Sequence, residues 1–124
     1  MMAQILVVED NPMNMELTVD LLESWGYEVG QAEDGPEALD KVKEAKYDLI
    51  LLDMQLPRMD GLEVLSHLKK DPDTADISVV ALTAHSMTGD EARSLDAGCT
   101  GYISKPIDIH EFKKQIPEYL GKTA

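Results

Sequence analysis

One cysteine in 124 residues leaves Cys99 without an intramolecular partner. No disulfide holds the chain together, and the thiol reads as a small buried side chain in a reducing compartment. The first residues carry no basic segment leading into an apolar one, and no apolar run approaches the ~18 residues of a membrane span. The expectation is therefore a soluble, cytoplasmic protein without membrane insertion. Basic residues are scarce as well, with 11 Lys and Arg against 24 Asp and Glu for a formal charge of −13. Nucleic-acid phosphates would be repelled by such a chain unless a basic patch were segregated on one face. The lysine pairs Lys69 with Lys70 and Lys113 with Lys114 sit apart on helical segments and make no such patch, so no nucleic-acid partner is expected. Repeats, low-complexity tracts and linkers are also missing, and the longest stretch without an element is the short polar one around Asp71 to Asp76.

What is present is a regular alternation. With 44% hydrophobic residues, the chain can bury one core without disulfides or structural metal, and a single domain over residues 1–124 with no output domain is expected. Apolar runs at 4–8, 27–32, 48–52, 77–82 and 101–103 are separated by helix-like stretches, the pattern of an α/β protein with a parallel sheet covered on both faces. Five βα units follow from this. Helix starts are legible at Asn11 with Pro12, at Thr88 with Glu91 and at Asp108 with Glu111, and Gly26 and Gly98 stand where helices end. Apolar stripes recur at helical spacing in Ala38, Leu39, Val42 and Ala45, in Leu62, Leu65 and Leu68, and in Ile109, Phe112, Ile116 and Leu120. The first helix carries two neighbouring stripes, Met15, Val19, Leu22 and Leu17, Leu21, Trp25, a wide core face with a partner surface as the alternative. Pro117 inside the last helical pattern predicts a kink or an early stop.

The chemistry-bearing residues gather at strand ends. Asp53 closes the run Leu49 to Leu52, Glu9 and Asp10 close Ile5 to Val8, Thr83 follows Val79 to Leu82, and Lys105 follows the run ending at Ile103. The carboxyl ends of the strands are where open α/β sheets bind ligands. Three carboxylates packed together are unfavourable unless protonated or neutralised by a cation. Oxygen-only ligands at a water-exposed edge suit Mg²⁺. A carboxylate beside that ion can act as a nucleophile toward phosphorus, with Lys105 as a candidate ammonium and Thr83 as a hydroxyl donor for the phosphoryl oxygens. For Glu9 and Asp10 alone, an acidic turn without metal is an equal reading.

Glu9-Asp10-Asn11, Asp53 with Leu56-Pro57-Arg58-Met59-Asp60-Gly61, Leu82-Thr83-Ala84 and Lys105-Pro106 together resemble bacterial response-regulator receiver domains over the whole chain. The resemblance implies a doubly wound, flavodoxin-like sheet of five parallel strands in the order 2-1-3-4-5, flanked by five helices. It implies Asp53 as phosphoacceptor, Asp10 as a direct Mg²⁺ ligand, Glu9 as a ligand through water and the Gln55 carbonyl as a further ligand. Thr83 and Lys105 would grip the phosphoryl group, Tyr102 would be the aromatic switch, and a cis Lys105-Pro106 bond would aim the lysine. The implied protein is a signalling phosphoacceptor, not an enzyme, although it assists its own phosphorylation and dephosphorylation. Its partners would be a sensor histidine kinase or phosphotransfer protein and a downstream protein bound on residues 85–97, the strand around Tyr102 and the start of the last helix. Residues 89–106 resemble those of stand-alone receivers that control bacterial cell division. A phosphate-gated adaptor and a relay shuttle both remain open, and a scaffold that works without phosphate is disfavoured by the intact acidic site. A flavin-binding protein is disfavoured by the acids in the first loop, and an aspartyl phosphatase of the haloacid type by Gln55 where it needs an acid.

Overall fold

Hydrophobic alternation inside continuous apolar strands builds this molecule in three layers. A computed structural model describes residues 3–54, 56, 59, 61–83, 98–104 and 107–120. The elements are β1 (Gln4–Val8), α1 (Pro12–Ser24), β2 (Glu28–Ala32), α2 (Gly35–Glu44), β3 (Leu49–Asp53), α3 (Gly61–Lys70), β4 (Ser78–Thr83), β5 (Gly101–Ser104) and α4 (Ile109–Leu120). All strand pairs are parallel, and the sheet order is β2-β1-β3-β4-β5. Strand positions and order agree with the expectation. Four helices lie among the described residues; the expected fifth, with its Thr88 and Glu91 cap, lies outside them.

Successive strand residues point to opposite faces, so each apolar run feeds two cores. Ile5, Val7, Leu49, Leu51, Val80, Leu82 and Ile103 pack with α1 and α4 side chains, chiefly Met15, Val19, Leu22, Phe112 and Ile116. Leu6, Val8, Ile50, Leu52, Val79 and Ala81 pack with Ala38 of α2, Val64, Leu65 and Leu68 of α3, and Cys99. Coverage on both faces is why β1, β3 and β4 read as unbroken apolar stretches in place of alternating ones.

Local chemistry sets the helix ends. Asn11 adopts extended backbone, and its side chain accepts the N–H groups of Met13 and Asn14 at 2.9 and 3.1 Å, with Pro12 opening α1. Asp108 accepts the N–H groups of His110 and Glu111 at 3.0 and 3.2 Å, which borne-out cap starts α4. Gly26, at φ +93°, ends α1 with the paired bonds of a Schellman motif, Gly26 N–H to Glu23 C=O at 3.0 Å and Tyr27 N–H to Leu22 C=O at 3.1 Å. The polar stretch after α3 is a tight turn in which the buried Thr74 hydroxyl donates to the Leu68 carbonyl at 2.6 Å, satisfying an orphan helix acceptor.

Of the two outcomes expected at Pro117, a kink or an early stop, the stop does not occur, since α4 runs through to Leu120; Pro117 and Lys113, whose carbonyl loses its usual donor, are both exposed, where water can take the place of a lost backbone partner. Three expectations about packed faces need correction. Ile109 is exposed, as is Leu17, so the last helix's stripe begins at Phe112 and the second stripe of α1 keeps only Leu21 and Trp25 against the core. Ala45 is the exposed C-cap of α2 and not part of its packed face.

Candidate functional site

Parallel strands deliver their carboxyl ends to one edge, and register decides which side chains meet there. Val8 pairs with Leu52, so Glu9 arrives level with Asp53; Asp53 pairs with Leu82, which places Thr83 one residue further, level with Ser104. One carboxylate oxygen from each of Glu9, Asp10 and Asp53 lies within 4.8 Å of the others. Glu9 and Asp53 are buried, at 2% and 4% exposure, while Asp10 is exposed to solvent. Thr83 is buried at the end of β4. Tyr102, half-buried on β5, packs against the core shared by α2 and α3.

Glu9 is held from both ends. Its N–H donates to the Ala32 carbonyl at 3.0 Å, and its Oε1 accepts the Asn11 N–H at 3.2 Å. The first turn of α1 therefore starts against the acids, and the positive end of its dipole faces them. On the other side, the residue after Asp53 is tied to β4 and to the start of α3. The Met54 N–H donates to the Leu82 carbonyl at 3.1 Å, and the Gly61 N–H donates to the Met54 carbonyl at 3.3 Å. A Cβ on Gly61 would lie 2.6 Å from the Met54 Cα and 3.0 Å from the Asp53 carbonyl oxygen. Only glycine fits at the first position of α3 this close to the backbone of Asp53 and Met54.

The donor set fits a hard divalent cation. Three carboxylates so close repel one another, two of them are sheltered from water's screening, and all offered atoms are oxygens. The exposed side of the cluster, at Asp10, leaves room for the waters Mg²⁺ retains. No ligand chemistry is needed from sulfur or imidazole. Of the residues singled out from the sequence, Glu9, Asp10, Asp53, Thr83 and Tyr102 are placed by the structure, the first three in one cluster. Gln55, Ala84, Lys105 and Pro106 lie outside the described residues, as do residues 85–97. His67 and His110 are exposed helix-surface residues. Cys99 is buried, and burial pushes its thiol up to about 11 in spite of the nearby Lys69, which makes it a packing residue and not a nucleophile. Sequence reasoning missed the contact between Gly101 and Tyr119 at β5; a glycine at the start of an apolar strand run was the available signal.

The response regulator receiver domain family matches residues 5–117. The polar-differentiation response regulator DivK of Brucella anthropi is 49% identical over 117 residues, covering 94% of this chain and 95% of the relative. Among solved structures, the receiver domain of a Pseudomonas aeruginosa sensor histidine kinase, with a magnesium ion coordinated in its active site cleft, superposes with a TM-score of 0.90 at 32% identity, over 98% of this chain and 100% of that one. A Saccharomyces cerevisiae receiver, that of Ssk1, solved with the histidine phosphotransfer protein Ypd1, gives a TM-score of 0.87 at 30% identity, over 95% and 88% of the two chains. The chain belongs to the response regulator receiver domain family, the phosphoacceptors of two-component signalling.

Proposed function

We propose that this chain works as a single receiver domain in a phosphorelay, taking a phosphoryl group onto Asp53 and using it to change its contacts with other proteins. The observation that carries this is the meeting of Glu9, Asp10 and Asp53 within 4.8 Å at the carboxyl ends of β1 and β3. Asp53 is the buried member best placed at a strand tip, so its carboxylate oxygen is the nucleophile: it forms the bond to phosphorus as the bond to the donor's leaving group breaks. Glu9, Asp10, Asp53 and the Gln55 carbonyl would hold Mg²⁺, which supplies positive charge against the acids and the incoming phosphoryl oxygens. Thr83 donates its hydroxyl to a phosphoryl oxygen and Lys105 supplies an ammonium, with Ala84 and Pro106 next to them in sequence. The added charge, nearly −2 at neutral pH, draws Thr83 inward and lets Tyr102 follow.

Upstream, the partner is a sensor histidine kinase or phosphotransfer protein; downstream, it is a protein bound at residues 85–97, β5 and the start of α4. The likeness to a polar-differentiation regulator supports a role in bacterial cell polarity and division, in the cytoplasm. No helix among the described residues is long and apolar enough to cross a membrane. The test is phosphoryl uptake from a small acyl-phosphate donor, followed by intact mass with Mg²⁺ and with excess chelator. Uptake is expected only with the metal. Uptake that persists unchanged in chelator removes Glu9 and Asp10 from the mechanism.

A further inference from the structure

Gly101 opens β5, paired with Val80 of β4, at a place where a side chain would ordinarily help a strand to pack. It is buried, and its backbone is not in the left-handed region that only Gly26 and Gly98 occupy among the described glycines. What requires glycine there is Tyr119. A Cβ on Gly101 would lie 2.6 Å from the Tyr119 Oη and 2.7 Å from its Cζ, with the ring edge closer still. The Tyr119 ring, carried by the last turn of α4, thus rests directly on bare strand backbone. Its hydroxyl also donates to the carbonyl of the next residue, Tyr102, at 3.4 Å.

The two tyrosines lie on opposite faces of the same strand. Tyr119 packs with the core of α1 and α4, and Tyr102 with the core of α2 and α3. One peptide of β5 is therefore gripped from one side and bears the Tyr102 ring on the other. Burial, then the Glu118 carboxylate and Tyr102, push the Tyr119 phenol up, while its bond to the Tyr102 carbonyl pulls it down, so it remains a proton donor at neutral pH. A bond at 3.4 Å is near the limit of useful length. A small shift of β5 either tightens it or breaks it.

We infer that Tyr119, seated in the space left by Gly101, is a positioning residue for Tyr102 that makes α4 sense the state of the switch strand. The inference rests on the reading of Tyr102 as the switch. A change in Tyr102 moves its own carbonyl, and that carbonyl is what Tyr119 holds.

Fluorotyrosine incorporation tests this, because the chain has 4 tyrosines and single Tyr→Phe changes assign the ¹⁹F resonances. Spectra are recorded before and after loading from a small acyl-phosphate donor with Mg²⁺, with Asp53→Asn as the unloaded control. Both the Tyr102 and the Tyr119 resonances are expected to move in the native chain, and neither in Asp53→Asn. Tyr119→Phe keeps the ring and is expected to alter the displacement of the Tyr102 resonance on loading, while phosphoryl uptake stays within about twofold of native, a margin worth under 1 kcal/mol. Gly101→Ala, which displaces the ring instead, is expected to alter the same displacement. Failure of the native chain to load overturns the site assignment and the inference with it. A loaded chain whose Tyr102 resonance stays still overturns the switch. A Tyr102 resonance that moves while Tyr119 does not, or that moves identically in Tyr119→Phe, overturns the role of Tyr119 alone.

Discussion

Gly61→Ala should damage both stability and phosphoryl uptake, because the tightest contact of the new methyl is with backbone. Its Cβ would lie 2.6 Å from the Met54 Cα, about 0.8 Å inside the closest ordinary contact of 3.4 Å, and 3.0 Å from the Asp53 carbonyl oxygen. The Met54 sulfur, at 2.7 Å, can swing away; the Cα can move only if the turn after β3 moves. Overpacking of that kind costs about 1–3 kcal/mol, or roughly 4–12 °C in thermal midpoint for a domain of this size. The displaced backbone is that of Met54, directly after Asp53, and misplacement by about 1 Å near a reacting group can cost on the order of 100-fold in rate, so uptake should fall at least about tenfold. Gly26→Ala is the control. At φ +93° with no atom within 4 Å of the added methyl, it should cost about 1–2 kcal/mol of backbone strain and leave uptake unchanged. Urea midpoints and intact-mass time courses read both effects. A Gly61→Ala chain with native midpoint and native uptake would refute the claim that the close seat of Gly61 against Met54 positions Asp53.

Mg²⁺ alone, at ten times its dissociation constant, should stabilise the protein by about 1.4 kcal/mol through mass action, seen as a rise in thermal midpoint; the exposed Asp10→Asn change should remove most of that rise, and an undiminished rise would place the ion elsewhere. Because burial moves Cys99 from 9.0 to about 11, the folded chain keeps a proton that the unfolded chain releases. Stability from this thiol is therefore full below pH 9 and declines from pH 9 to 11. Lys69, lowered chiefly by burial, acts with the opposite sign, so the thiol is isolated by comparing urea midpoints with Cys99→Ala, whose alkaline decline should be shallower; equal slopes contradict the assignment. Phe112→Ala should cost about 3–5 kcal/mol and shift the emission of Trp25, whose ring centroid is 5.7 Å from that of Phe112. Phosphoryl loading should leave the same emission nearly unchanged, since Trp25 caps the end of α1 remote from Asn11 and the acids.

Sheet and site were legible for one reason: in a parallel sheet covered on both faces, strands are unbroken apolar runs and their ends are marked by the first charge. Ile5 to Val8 followed by Glu9 and Asp10, and Leu49 to Leu52 followed by Asp53, announce both strand and edge. Register then follows, because parallel strands that begin together end together, and the mutual bonds of Gln4 and Asp48, each 2.8 Å, start β1 and β3 level. Strand order did not follow from periodicity and came from the family resemblance. Which turns of a helix stay covered was less legible. Ile109 and Leu17 have the spacing of core residues, yet Ile109 opens α4 and Leu17 lies off the face α1 turns to the sheet, and both are exposed. Pro117 did not end α4, and it and Lys113 are exposed, where water can take the place of a lost backbone bond. The Gly101 and Tyr119 contact joins residues 18 apart through a missing side chain, a relation that no periodic pattern records.

The central claim is that Asp53 receives the phosphoryl group. Intact mass after incubation with a small acyl-phosphate donor and Mg²⁺, comparing the native chain with Asp53→Asn, tests it directly. One phosphoryl adduct on the native chain and none on Asp53→Asn is the predicted result. An adduct of equal yield on both chains, or none on the native chain, would contradict it.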